Sequence, residues 1–531
     1  MKTGQALLFL NQKRKPVWGI ADLHAHPASH RAFGYQNEVE TGLFWGNPGL
    51  HHLDKAEASL PACASDKHSG FTTDVVKHET RKAVINGAHQ GTNWPHTSSG
   101  FPEYGNWPAA RSPTHQQMHI SWIHRAWRAG LRLMVASVTD NQVISMLWHR
   151  HHSAPPPDVD PFFDYDSARR QLEFIQEVGR ANADWMEVVT TSAQAQHAIR
   201  NGKLAVVLAV ELDQLSIEHL LSLVQSHNVR LVTPIHLVNN YYGGAAVYDE
   251  LFNTANHFLT GQFFQVQEDE RIQFRFNSQP QFLRYVSGDI FSGGDLIKWG
   301  AMEPTTWHSP IYNTPDDIHG HRNALGLNSR EWLEQLMDAG LLIDIAHMSE
   351  ACMEDTIQVA EERGYPLINT HTGLRENTGA PAESERHLTV GHAQRIANLG
   401  GVMGFGTGAN NANTPIGAWQ QGYIEMLEVA GNAPVALGTD MNGLDIQLDR
   451  SEIIIPDNFT IPGNEKETFS TLTLGQKTFD FSRDGLAHYG MLPEFLYAVS
   501  ETDSTGQAIS ALYASAEVFL NTWRQVERRG R

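Results

Sequence analysis

The chain has only two cysteines in 531 residues, Cys63 and Cys352. A disulfide framework is excluded, and a cysteine-ligated zinc site is not expected. Cations are also sparse, 39 Lys and Arg against 59 Asp and Glu, for a formal net charge of −20. Nucleic-acid binding needs clustered Lys and Arg to meet phosphates, so no such partner is expected. The charge instead suits a soluble acidic surface. No apolar run approaches the length of a membrane span. The stretch 6–10 is too short for a secretory core, and Asn11-Gln12-Lys13-Arg14 follows at once. The polar end 524–531 carries no lipid-anchor tail. A cytoplasmic protein is the expectation, with secretion of a trimmed form as the alternative. No G-x-G-x-x-G follows a first strand, and Gly401-Val402-Met403-Gly404-Phe405-Gly406 reads better as a strand than as a dinucleotide loop.

What is present is a long, well-packed alternation. Hydrophobic residues are 41% and charged residues 18%, a balance that buries a core rather than leaving a disordered chain. Eight strand-like apolar runs stand at 17–23, 131–138, 204–210, 230–235, 341–346, 366–370, 401–406 and 434–438. Helix-like sequence at 115–129, 167–181, 215–227, 329–339, 350–363, 390–399 and 418–430 separates most of them. Two further helices are predicted at 483–497 and 505–528. Gly130, Gly202, Gly340, Gly364 and Gly400 each stand just before a strand, where a helix C-terminus favours glycine. The alternation predicts an α/β fold, a (β/α)8 TIM-like barrel of parallel strands. One barrel domain would fill 1–531. Three long segments, about 27–113, 238–325 and 441–480, exceed the minimal repeat. Each begins just after a strand, so each is expected to wall or cover the catalytic face, passive decoration being the plainer alternative.

Polar residues punctuate the ends of five of these runs. His24 and His26 end the first, and alternate strand residues point the same way, so both can aim into the barrel mouth. Glu211 follows seven apolar residues, where an unpaired carboxylate is costly to bury. A metal ion would satisfy it, and so would a salt bridge. His347 and His371 end adjacent strands. Asp440 ends the eighth and is placed to accept a proton, unless it merely caps a helix. Four histidines and two carboxylates at one end of a barrel predict a two-metal hydrolase site, with Glu211 bridging the pair.

Several stretches resemble the renal (membrane) dipeptidase family, the M19 metallopeptidases of the amidohydrolase superfamily. They are Gly340-Leu-Leu-Ile-Asp-Ile-Ala-His347-Met-Ser349, Pro366-Leu-Ile-Asn-Thr-His371-Thr-Gly-Leu-Arg375, Arg386-His387-Leu388-Thr389 and Gly438-Thr439-Asp440-Met441-Asn442-Gly443. Leu231-Val-Thr-Pro-Ile-His236 and the run from Ala205 to Glu211 add to the likeness. Where the family usually has H-x-D at the first strand, this chain has His24-Ala25-His26, the form typical of the wider superfamily. The resemblance implies two divalent ions, zinc being the expected metal. His24 and His26 would hold the first, His347 and His371 the second, and Glu211 both. It implies that Asp440 handles the proton of the attacking water, and that His236 and Arg386 bind substrate, Arg386 through a carboxylate. The expected activity is cleavage of an amide bond in a small carboxylate-bearing substrate such as a dipeptide. The alternative is a non-peptidase amidohydrolase acting on a lactone, a cyclic amide or an N-acyl amino acid. A non-catalytic barrel would lack ligands or base, and none is missing. The expected partner is thus a small molecule, with a homo-oligomer left open.

Overall fold

Eight parallel strands close into a ring. The computed structural model describes residues 15–35, 42–62, 100–105, 107–142, 144–145, 164–276, 312, 319–375, 382, 384–408, 415–431, 433–448 and 451–530. Within them the barrel strands are β1 (Ile20–Ala25), β2 (Leu131–Thr139), β3 (Leu204–Glu211), β4 (Leu231–Thr233), β5 (Leu342–Ile343), β6 (Ile368–Thr372), β7 (Val402–Gly406) and β8 (Ala436–Gly438). Consecutive strands pair in parallel from β1 to β5 and from β6 to β8, and β8 returns to β1 through Asp22 and Leu437. The gap between β5 and β6 is closed by a bridge from Asp344 to Ile368, where the Ile345 N–H also donates to the Ile368 carbonyl at 2.8 Å. The expected TIM-like barrel is observed, with all eight strands where the apolar runs predict them.

The strands are buried along nearly their whole length, as expected when helices cover the outside and side chains fill the inside. Between them lie helices such as Ile217–His227, Arg330–Asp338, Glu350–Arg363, Val390–Asn398 and Ile416–Val429. Ser216, Ser329, Ser349 and Thr389 cap four of these, each side chain accepting a backbone N–H of the first turn. The five glycines expected to stop helices all have positive φ, from 58° at Gly364 to 108° at Gly130.

Within the barrel sheet the sequence reading missed one strand, and beyond it misjudged a helix. Met186–Val189 pairs with the first half of β3, on the side where β4 later joins its second half. Four residues are too few to carry a periodic signal. The helix expected over 483–497 is broken into Phe481–Asp484 and Leu492–Thr502. Between them His488 is extended and stacks on Trp122 at 4.0 Å, and the Tyr489 hydroxyl donates to buried Asp22 at 2.8 Å. These tertiary contacts override local helical preference.

Residues 36–41, 63–99 and 106 of the first long segment, 277–311 and 313–318 of the second, and 449–450 of the third lie outside the described residues, and Cys63 with them. The described parts of the first and third meet where the Gln447 N–H donates to the Ala110 carbonyl at 3.0 Å, and Asn442 of the third lies beside β1, its Nδ2 donating to the His26 carbonyl at 3.3 Å. The third then runs away from that mouth. Its Glu467 pairs with Arg128, at the end of the helix that leads into the start of β2. Among the described residues no helix is long and apolar enough to cross a membrane.

Candidate metal centre

All eight residues singled out in the sequence come to one end of the barrel. His24 and His26 lie at the end of β1, Glu211 closes β3, and His371 sits in β6. His236, His347 and Asp440 follow β4, β5 and β8 within a few residues, and Arg386 precedes the helix Val390–Asn398. His347 and Asp440 have φ of 64° and 51°, a left-handed backbone uncommon outside glycine. Strained residues of this kind persist where the surroundings hold them, often at functional sites. Close packing enforces the geometry too. A Cβ on Gly438 would stand 2.1 Å from the Thr370 carbonyl oxygen and 2.7 Å from the Cα of His371.

Glu211 is the hub. Its Oε2 lies 3.1 Å from Nε2 of His24, 3.5 Å from that of His26 and 3.8 Å from that of His236. Its Oε1 has no hydrogen-bond partner and lies 3.3 Å from Nε2 of His347. Two imidazole pairs flank it, with Nε2 atoms 3.0 Å apart in His24 and His26 and 2.8 Å apart in His347 and His371. Asp440 Oδ1 is 3.1 Å from Nε2 of His26, and Asp440 Oδ2 is 3.9 Å from Arg386 Nη2.

The outer nitrogens show which way these rings are protonated. His26 Nδ1 is 3.0 Å from the Ser137 carbonyl, which can only accept, so Nδ1 carries the proton. Thr370 Oγ1 is within 3.0 Å of Nδ1 of both His24 and His371, and 2.6 Å from Asp344 Oδ2. Asp344 is buried and collects the N–H groups of Ala346 and Thr370 and the hydroxyls of Thr233 and Thr370. With its one proton donated to Asp344, Thr370 accepts from both imidazoles. In their neutral forms, then, His24, His26 and His371 would turn Nε2 lone pairs to the cavity, and without a cation there a proton must take its place. Two bare nitrogens at 3.0 Å cannot bond one another and need a positive charge between or beside them.

The electrostatics agree. Burial disfavours a charged His24, yet the adjacent Glu211 carboxylate raises its pKa to about 9. Burial likewise works against ionised Glu211, but His24 and His236 hold its carboxyl well below the usual range. Burial pushes His347 down to about 3, helped by the Arg386 charge, and keeps His371 well below its ordinary value. For Asp440 burial is outweighed by the bond to His26 and the charge of His24, so its pKa is lowered. A site that must hold a proton on one histidine while its neighbours stay neutral suits a cation better.

The donor set fits divalent metal. Three groups have ligand atoms within 4.8 Å of one another: His24, His26 and Asp440; His24, Glu211 and His371; and Glu211, His236 and His347. Nitrogens on a tetrahedral zinc stand about 3.3 Å apart, so each imidazole pair would open by only a few tenths of an ångström. Nitrogen and carboxylate oxygen are donors that zinc accepts. Sequence reasoning missed the supporting residues. Asp344 was visible as a lone carboxylate in an apolar run, and Thr370 as the neighbour of His371. Tyr248, whose Oη lies 3.1 Å from His347 Nδ1, sits in a long segment with no signal of its own.

No family model matches the sequence. One curated relative, described as an uncharacterized protein in the pqqA 5′ region of Klebsiella pneumoniae, is 29% identical over 122 residues. That match spans 22% of this chain and 42% of the relative. Among solved structures, a dipeptidase described as a metallo peptidase of family M19 is 12% identical, with a TM-score of 0.45 over 76% of this chain and 88% of that one. A metallo peptidase from Rhodobacter sphaeroides, liganded with a phosphinate mimic of the dipeptide L-Ala-D-Ala, is 13% identical, with a TM-score of 0.45 over 76% and 89%. An amidohydrolase from Pseudomonas aeruginosa is 13% identical, with a TM-score of 0.43 over 76% and 92%.

Proposed function

We propose that the chain is a metal-dependent hydrolase of the renal dipeptidase kind, cleaving an amide bond in a small carboxylate-bearing substrate such as a dipeptide. The observation that carries this reading is the convergence of four imidazole Nε2 atoms on the two oxygens of buried Glu211. Packing needs no such cluster, and two ions shared by one carboxylate would satisfy the nitrogens of His24, His26 and His347 in it and leave His236 for substrate. His24, His26, Glu211, His347 and His371 would hold the two ions, zinc being the expected metal. Bound there, the ions would supply a polarised scissile carbonyl and a water acidic enough to attack near neutral pH.

The chain's own groups complete the chemistry. Asp440 stays ionised, and its Oδ2 has Arg386 as its nearest charged partner, at 3.9 Å. That oxygen takes a proton from the attacking water and delivers it to the leaving amine, so the amide and one water become an acid and an amine. His236 has Nδ1 without a partner and Nε2 facing Glu211, and it can reach the substrate carbonyl oxygen. Arg386 is a cation inside the site, its guanidinium 5.4 Å above the Tyr248 ring. Its planar fork matches a substrate carboxylate and fixes the reacting bond over Asp440.

A substrate panel tests the reading. L,L- and L,D-dipeptides should be hydrolysed, and lactones, cyclic amides and N-acyl amino acids much more slowly. Turnover of lactones or cyclic amides with no turnover of any dipeptide would overturn the peptidase assignment.

A further inference from the structure

The second nitrogen of His347 faces a phenol rather than a backbone carbonyl or a carboxylate. Tyr248 Oη stands 3.1 Å from Nδ1. On the other side of the ring, Nε2 of His347 faces Glu211 Oε1 at 3.3 Å and Nε2 of His371 at 2.8 Å. If Nε2 is to present a lone pair there, the ring proton must sit on Nδ1, and the phenol oxygen is positioned to accept it.

The backbone holds Tyr248 in that place. Ala245 and Met348 bridge in antiparallel fashion, the Ala246 N–H donates to the His347 carbonyl at 2.7 Å, and the Ser349 N–H donates to the Gly244 carbonyl at 2.8 Å. Glu385 ties both strands of this contact. Its Oε2 accepts from the Val247 N–H at 3.2 Å, and its Oε1 accepts from the Glu350 N–H at 2.9 Å. Phe252 packs edge-on against the Tyr248 ring at 5.1 Å, and Arg386 lies over it. Burial raises the phenol's pKa, so it remains a neutral hydroxyl. Tyr248 belongs to the long segment after β4, which the sequence offers only as a wall.

We propose that Tyr248 is a positioning residue of the metal centre: its hydroxyl accepts the Nδ1 proton of His347 and so aims Nε2 at Glu211. This rests on the two-metal reading above. Groups that orient a metal-bound histidine typically change metal affinity by about 10–100-fold when removed.

Zinc alone is the probe, titrated against a chromophoric chelator, with thermal unfolding of the zinc-free chain measured beside it. Tyr248→Phe deletes the hydroxyl and keeps the ring against Phe252 and Arg386. One of the two zinc equivalents should bind about 10–100-fold more weakly, the other should be unmoved, and the zinc-free chain should unfold as wild type does. Two wild-type affinities in the variant would overturn the proposal. So would early unfolding with both affinities reduced together, since that marks a packing role. A wild-type chain that takes up no zinc would instead sink the two-metal reading, and this proposal with it.

Discussion

Asp440 Oδ1 lies 3.1 Å from Nε2 of His26, although 414 positions of sequence separate them. The contact joins the last barrel strand to the first and places a carboxylate beside the histidine pair at the start of the chain. That carboxylate is held ionised by His26 and His24 against the effect of burial.

Asp440→Asn keeps the size and most hydrogen bonds of the side chain but cannot take a proton. Zinc content should stay at the wild-type level, and turnover of the best dipeptide should fall by about 10²–10⁴-fold. Steady-state kinetics on zinc-loaded protein checks this. A variant that turns over at the normal rate would mean that the base is elsewhere.

Thr370 is where two of the proposed ligand histidines share one acceptor. Thr370→Val keeps the shape and removes the hydroxyl that joins His24, His371 and Asp344. Zinc affinity should drop about 10–100-fold, and the chain should lose about 1–3 kcal/mol because buried donors are left unpaired. Chelator competition and urea unfolding measure the two effects. Unchanged zinc affinity would show that Nδ1 of these rings needs no fixed acceptor.

Glu385 gives the chain a pH dependence with a definite sign. It is buried, and burial pushes its carboxyl up to about 7 in spite of the N–H groups of Val247, Asn323 and Glu350. Unfolded, it would ionise near 4.5. Between those values the folded chain keeps a proton that the unfolded chain has lost. The stabilising contribution is therefore complete below pH 4.5 or so and declines as pH rises through about 7. Glu385→Gln cannot titrate. The stability of wild type minus variant should fall between pH 5 and pH 8, by an amount on the order of 3 kcal/mol. Denaturant unfolding at several pH values reads it, and a difference that stays flat would contradict the burial argument.

Much of this architecture was legible in the residues. The eight strands announce themselves because each is buried on both faces and reads as an unbroken apolar run. The proposed ligand set is legible for the complementary reason: His24, Glu211 and His371 interrupt or end such runs, where packing has no use for a charge or an imidazole. The strand Met186–Val189 stayed hidden because four residues, the middle two only partly buried, carry neither an apolar run nor a period. The break at His488 was hidden because its cause is Trp122, far away in sequence. Tyr248 could not be found at all. Its role comes from an antiparallel contact between two loops, 244–247 and 347–349, and nothing in either sequence marks the pairing.

If scattered imidazoles and acids form a two-ion centre, the purified chain must carry the ions. Metal analysis of the chain purified without added zinc tests it most directly, combined with activity before and after chelation. Two equivalents per chain are expected, with activity lost with the metal and restored by its return. Stoichiometry below one, or full activity in the stripped protein, would contradict it.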